Sequence, residues 1–276
     1  MQLSASSLLP STLAIVALAF GTFGDNASAQ EWPTHLPRKP VADAVRVSEQ
    51  SIFIDGDLNE DAWQSIVPET DLHEFKPVPF ANPRQRTEVR FAFDDRALYI
   101  GARMWDTAPD SILHQLVQRD GGGNTDVFGI WFNCFDDGVN GVRFSVTPDG
   151  VQSDELLTTD GSDGSWNAVW QSECRIDENG WTAEFALPWS VFRFADKGDA
   201  EQQWGMNFYR YIRRYRSDYV WRAMDPNQEG LMNQGGLLSG IRGITPPPRF
   251  SLYPYASTYV NAEDGATNVA VNGGLD

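Results

Sequence analysis

Residues 119–157 read RDGGGNTDVFGIWFNCFDDGVNGVRFSVTPDGVQSDELL, and residues 165–194 read SWNAVWQSECRIDENGWTAEFALPWSVFRF. In both stretches aromatic and β-branched residues alternate with polar ones in short runs, each closed by Gly, Asp, Asn or Pro. That pattern predicts consecutive antiparallel strands with one buried face and tight turns. Further runs at 87–93, 98–105, 204–215 and 219–222 continue it on either side. The loops contain Asp94-Asp95, Asp136-Asp137-Gly138, Pro148-Asp149-Gly150 and Asp177-Glu178-Asn179-Gly180, which is turn chemistry. No long amphipathic pattern intervenes, which excludes a parallel βαβ fold. The expected fold class is all-β, a two-sheet antiparallel β-sandwich of jelly-roll type.

Upstream, 45–54 reads as the opening of the domain and 30–44, QEWPTHLPRKPVADA, as a Pro-rich linker. Asp57 is placed to cap a short helix, with Glu60 closing a capping box and Trp63 dropping onto the core. The spacing Asp55, Asp57, Asn59, Asp61 imitates a calcium loop. Glu60 stands where the loop needs glycine, however, and Ile66 where it needs glutamate. The Asp136-Asp137 turn offers oxygens to calcium but fixes no ligand set, so no cofactor is assigned.

The first 29 residues read as a secretory signal peptide: an apolar run at 13–20, then Ala27-Ser28-Ala29 before Gln30. An exported protein of the periplasm or outer membrane is therefore expected. With 38 acidic and 21 basic residues the net charge is −17, which argues against nucleic acid as a partner. Export permits a disulfide between Cys134 and Cys174; two buried free thiols are the alternative. Three scattered histidines (His35, His73, His114) leave no Cys/His zinc site.

After Ile244, Pro246-Pro247-Pro248 forms a stiff spacer. Beyond it Phe250, Leu252, Pro254, Ala256, Thr258, Val260 and Ala262 fall on one face and Ser251, Tyr253, Tyr255, Ser257, Tyr259 and Asn261 on the other. Glu263-Asp264-Gly265 then turns the chain. Such alternation suits an outer-membrane barrel strand, or else a soluble hairpin.

The series Ile54-Asp55-Gly56-Asp57, Ala62-Trp63, Asp94, Leu98-Tyr99-Ile100 and Asp126-Val127-Phe128 resembles the family 9 carbohydrate-binding module. The resemblance continues through Trp181-Thr182-Ala183-Glu184-Phe185-Ala186-Leu187-Pro188 and Trp204-Gly205-Met206-Asn207-Phe208, covering residues 45–244. A narrower set is similar to a bacterial group in which such a module precedes a predicted outer-membrane β-barrel of unknown function. It comprises 146–154 (VTPDGVQSD), Trp166-Asn167-Ala168-Val169-Trp170, Phe192-Arg193-Phe194, 210–214 (RYIRR) and Pro254-Tyr255. That likeness implies that 245–276 is spacer and the start of a barrel continuing past Asp276, attached to the outer membrane. It also implies a sandwich that binds poly- or oligosaccharide at the envelope and assists carbohydrate catabolism. Hydrolysis of glycosyl bonds would be left to fused partners. The family's two clamping tryptophans have no counterpart in 121–126 or 227–232, and Gly129 stands where the family's glutamate bonds sugar.

Sugar sites combine a flat aromatic face with planar polar groups. Trp166 and Trp170 supply the first, and Arg143 and Arg210 with the acceptors Asp154 and Asp225 the second. For each tryptophan core packing competes with this role, and for the arginines pairing with carboxylates does. No Gly-x-Ser-x-Gly, His-Glu-x-x-His or phosphate loop is present, so the module reads as non-catalytic. The alternative function is a plug or partner-docking domain that binds no sugar.

Overall fold

The computed structural model describes residues 39–230, 232–248, 254–263 and 266–275. The segment read as a signal peptide lies outside them. The strands are β1 (Val41–Arg46), β2 (His73–Lys76), β3 (Thr87–Phe93), β4 (Ala97–Trp105), β5 (Val127–Asn133), β6 (Gly141–Val146) and β7 (Gln152–Thr158). They continue with β8 (Gly161–Asp163), β9 (Gln171–Asp177), β10 (Gly180–Pro188), β11 (Trp204–Ile212), β12 (Ser217–Val220) and β13 (Gly236–Ser239). A separate two-stranded sheet joins β14 (Pro254–Glu263) to β15 (Ala266–Leu275). The one helical turn described as α-helix is α1 (Asp61–Gln64).

Strands β1 to β13 form one curled sheet that folds into two layers, so the all-β sandwich expected from sequence is present. The front layer runs β8-β7-β6-β5-β11-β13 and the back layer β3-β4-β10-β9. Strand β1 belongs to both: Val41, Ala42 and Asp43 pair with β13, and Ala44, Val45 and Arg46 pair with β3. A strand that switches sheets makes the corner of a sandwich. Both of its pairings are parallel, which corrects the purely antiparallel expectation. Strand β1 also begins inside the stretch read as linker.

The core follows from period-2 alternation. Phe128, Ile130 and Phe132 of β5 point inward with Phe144 and Val146 of β6 and Met206 and Phe208 of β11. They meet Phe91 and Phe93 of β3, Ile100 and Met104 of β4, and Trp181 and Phe185 of β10. Aromatic rings interlock edge to face, as in Phe132 on Phe192 (5.3 Å, 87°).

Residues 47–66 lie over the outer face of the back layer, where Ile52, Trp63, Ile66 and Ala92 make a second small core. Glu184 of β10, wholly buried, holds this cover down. Its carboxylate accepts the backbone N–H of Asp55 (2.9 Å) and Gly56 (2.8 Å) and the Trp63 indole N–H (2.9 Å). A Cβ on Gly101 of β4 would meet Leu58 at 2.9 Å and the Trp63 ring at 3.2 Å, so glycine there is what lets the ring lie against the strand. Helix α1 starts later than the capping box implied. Glu60 sits at the N-cap with no side-chain bond to the helix, because its Oε1 takes the Phe53 N–H instead (3.0 Å). Asp57 pairs with Arg175.

Cys134 and Cys174 are free thiols, and burial pushes both well above the ordinary thiol range. At the Asp136-Asp137 turn one carboxylate pairs with Lys39 (2.6 Å) and the other accepts the Val139 N–H (2.9 Å), so the turn's oxygens are engaged locally.

Candidate functional site

On the outer face of the front layer, alternation brings the non-core residues of neighbouring strands into rows. Register places Glu155 (β7), Arg143 (β6), Trp131 (β5) and Asn207 (β11) side by side, and Ser153, Ser145, Gly129 and Tyr209 in the next row. Strands β13 and β12 share the far edge of β11, the first along 204–206 and the second along 209–212. Strand β12 carries β2 with it, and Phe75, Asp218 and Val220 of this pair face Trp131, Arg143 and Tyr209 across a groove of about 190 Å³.

Tyr209 is the centre of the groove. A Cβ on Gly129 would lie 2.4–2.6 Å from the Tyr209 ring and hydroxyl, so the ring rests directly on the backbone of β5. The ring is therefore backed by the strand, and Tyr209 lines the groove. The phenol hydrogen-bonds with Ser145. Burial raises its pKa, with the Arg143 charge and the Ser145 bond pulling the other way, so at neutral pH it carries its proton.

Around this ring the polar groups differ in availability. Asn207 is engaged on both sides of its amide, which donates to the Arg222 carbonyl (3.0 Å) and accepts the Arg222 N–H (2.9 Å), fixing the chain after β12. Arg143 pairs with Glu155, both partly exposed. That pair sets donors and an acceptor side by side, the arrangement two adjacent hydroxyls require. Burial raises the pKa of Asp218 and Lys76 opposes it. Trp131 packs with Leu157 and Met232 and is 3% exposed, so it forms floor.

Of the residues singled out from sequence, Arg143 alone lines this groove. Trp170 lies in the core, stacked on Phe185 (5.3 Å, 10°), because the chain turns inward just before β9. Trp166 is half-buried against Phe144 (6.0 Å). Asp154 faces inward from β7. It accepts Arg119 (2.8 Å) and the Ala168 N–H, tying down the loop that carries both tryptophans. Arg210 has the parity of Phe208 and is wholly buried. It donates to the carbonyls of Arg86 (3.1 Å) and Trp105 (2.9 Å) and lies 3.7 Å from Asp106. Burial lowers its pKa to about 10, still charged at neutral pH. Asp225, beyond β12, accepts the Asn227 N–H (2.9 Å). Arg210 and Asp154 are thus corrected from ligand contacts to scaffold, since neither has surface to offer, and Trp170 is a core residue that leaves only a small edge at a cleft on the back layer.

No protein-family model matches the chain, and no curated protein matches it by sequence. Solved structures do. A family 9 carbohydrate-binding module from Caldicellulosiruptor kristjanssonii in complex with glucose superimposes with a TM-score of 0.52, at 12% identity, over 77% of this chain and 99% of its own. A family 9 module from the same organism in complex with cellotriose gives 0.51, at 14% identity, over 74% and 95%. A proposed carbohydrate-binding protein from Bacteroides uniformis gives 0.55, at 10% identity, over 73% and 99%. The chain shares its fold with these modules. At such low identity the fold is conveyed without the contacts, and the groove must be judged on its own residues.

Proposed function

We propose that this domain is a non-catalytic carbohydrate-binding module that holds an oligo- or polysaccharide in the groove on its front layer. The observation that carries the reading is Tyr209 lying across Gly129. A ring pinned flat on a strand presents a rigid apolar face to the C–H side of a sugar, at small cost in side-chain entropy. Beside it the Arg143–Glu155 pair supplies donors and an acceptor for hydroxyls, while Phe75 and Val220 close the far wall. The fold shared with modules solved in complex with glucose and cellotriose supports the same reading.

Calorimetric titration of the full chain with a panel of soluble glycans tests it. Saturable binding is expected, and Tyr209→Ala should weaken it roughly tenfold or more through loss of the stacking face. A folded protein that binds no glycan would leave the plug or partner-docking reading in its place.

The second part of the proposal concerns location. The apolar run and small-residue site at the start of the chain, together with β14 and β15, support a protein of the bacterial envelope. Each strand of the hairpin has ten residues, the length of a barrel strand that crosses a bilayer. Pairing sets Ala256, Thr258 and Val260 with Gly273, Val271 and Val269 on one face, and Tyr255, Ser257 and Tyr259 with Gly274, Asn272 and Ala270 on the other. Val260, Val269 and Val271 are more than half exposed. An apolar strip on exposed strands suits insertion into an outer-membrane barrel, and such attachment would present bound glycan to the carbohydrate-degrading partners that the resemblance implies.

A further inference from the structure

A larger cavity lies on the opposite face of the sandwich. A cleft of about 430 Å³ runs between residues 50–54 and the outer side of β4 and β10, reaching the start of β9. That volume falls within the roughly 300–1,000 Å³ usual for ligand pockets. Its floor is apolar, formed by Ile52, Ala97 and Ala186 with the partly exposed ring of Tyr99. At its mouth Phe53 is 63% exposed and Val169 87%. Three planar polar side chains line it, those of Gln50, Arg96 and Gln171. Among the described residues none of the three makes a side-chain hydrogen bond or ion pair. The contrast with the front groove is direct, because there the Asn207 amide is consumed by the Arg222 backbone and Arg143 is held by Glu155.

An apolar floor, exposed rings and unengaged amides belong together chemically. A glutamine amide carries a donor and an acceptor at fixed geometry, which neighbouring hydroxyls match, and a guanidinium adds a fork of donors. All three side chains are exposed and free to reach a ligand at the mouth, and a purely apolar ligand would make no use of them. A nucleic acid is disfavoured by the net charge of −17. A sugar ring has both required surfaces, a C–H face for Phe53 and Tyr99 and a rim of hydroxyls for the amides.

We infer that this cleft is a second glycan-binding site, in which a sugar ring packs on Phe53 and Tyr99 while Gln50, Gln171 and Arg96 bond its polar rim. It does not depend on the front groove, and the two can succeed or fail separately.

Cellotriose and trigalacturonate are the probes, the second offering carboxylates to Arg96. Hydrogen exchange of the full chain is followed with each trimer, alongside calorimetry on wild type, Phe53→Ala, Gln171→Ala and Tyr209→Ala. Phe53 is exposed, so its substitution leaves the core intact. Protection of 50–54 and 169–171 is expected with at least one trimer. Phe53→Ala should remove it and weaken that site roughly tenfold, while Tyr209→Ala should leave it in place. A preference for trigalacturonate that disappears in Arg96→Gln would assign the ligand as an acidic glycan, and equal binding of both trimers would assign a neutral one. If neither trimer protects 50–54, or if Phe53→Ala leaves the protection unchanged, the inference is overturned, whatever happens at 127–131 and 205–211 in the front groove.

Discussion

Gly101 and Gly129 occupy equivalent situations on the two layers and have opposite consequences. Each sits mid-strand on an outer face, and each receives an aromatic ring directly on the backbone, Trp63 in one case and Tyr209 in the other. On the back layer the ring is then covered by residues 47–66 and tied to Glu184, so it becomes core. On the front layer the ring stays half-buried at the lining of a groove, beside Val220 of β12, and on the proposed function it becomes a surface for a ligand. The same backbone device therefore builds a cover on one face and a seat on the other. Which of the two results depends on what the chain lays over the ring afterwards. A glycine replacing a polar ligand residue need not mean a lost site, because it can mark where a ring comes in from the next strand.

The largest expected effect lies in the core between the two layers. Trp170→Ala should lower stability by about 3–5 kcal/mol in urea unfolding, because a fully packed indole stacked on Phe185 leaves a cavity. A variant as stable as wild type would mean the ring is outside the core. The Glu184 tie comes next. Glu184→Ala leaves three N–H donors without their acceptor and should cost about 3 kcal/mol, with faster hydrogen exchange across 52–66 and unchanged exchange across 127–131. Equal loosening of both faces would erase the distinction between cover and seat.

Glu184 also gives the cover a pH dependence. Burial pushes its carboxyl from the ordinary 4.5 up to about 7, against the pull of the Trp63, Asp55 and Gly56 donors. A pKa higher in the folded state means that folding favours the neutral form. The contribution is complete below pH 4.5 and is lost as pH rises through about 7. Wild-type stability measured against Glu184→Gln should therefore decline across that window; a flat difference would show that the carboxyl is ionised throughout. On the seat, Arg143→Ala should weaken glycan binding by about threefold to tenfold while changing stability by less than about 1 kcal/mol, since its partner Glu155 is partly exposed. Trp166→Ala should do least, costing about 1 kcal/mol of stability and leaving glycan affinity unchanged, because the ring packs beside Phe144 away from both clefts.

Much of the sandwich was legible because its central strands alternate cleanly, as in Phe128-Ile130-Phe132 against Gly129-Trp131. Strand β1 was not, because it lies at the end of a Pro-rich stretch and its parallel partners β3 and β13 are far away in sequence. Strand β7 (QSDELLT) carries little alternation because its residues are mostly polar and only its last three are paired on the outer side, by the short β8. Arg210 shares the parity of the buried Phe208, which its choice as a ligand contact overlooked, and Tyr209 falls on the opposite face. What parity cannot show is that β11 pairs with β5 in a register that puts Tyr209 opposite Gly129. A Gly- and Asp-rich loop, 158–165, precedes Trp166 and Trp170 and makes both look exposed in the sequence. Asp154, buried two strands away, pulls that loop in through Arg119 and Ala168, a contact with no local signature.

The seat of the ligand is tested most directly by Gly129→Ala. A methyl group there would meet the Tyr209 ring at 2.4 Å, and the flexible side chain must swing off the strand while the core behind it stays as it is. Calorimetric titration of wild type and variant with the same glycan panel, each checked by urea unfolding, should show near-equal stability. Binding to the front groove should be weakened roughly tenfold or more in the variant. Equal affinities at that groove, or a folded wild type that no glycan saturates, would contradict Tyr209 on Gly129 as the sugar platform.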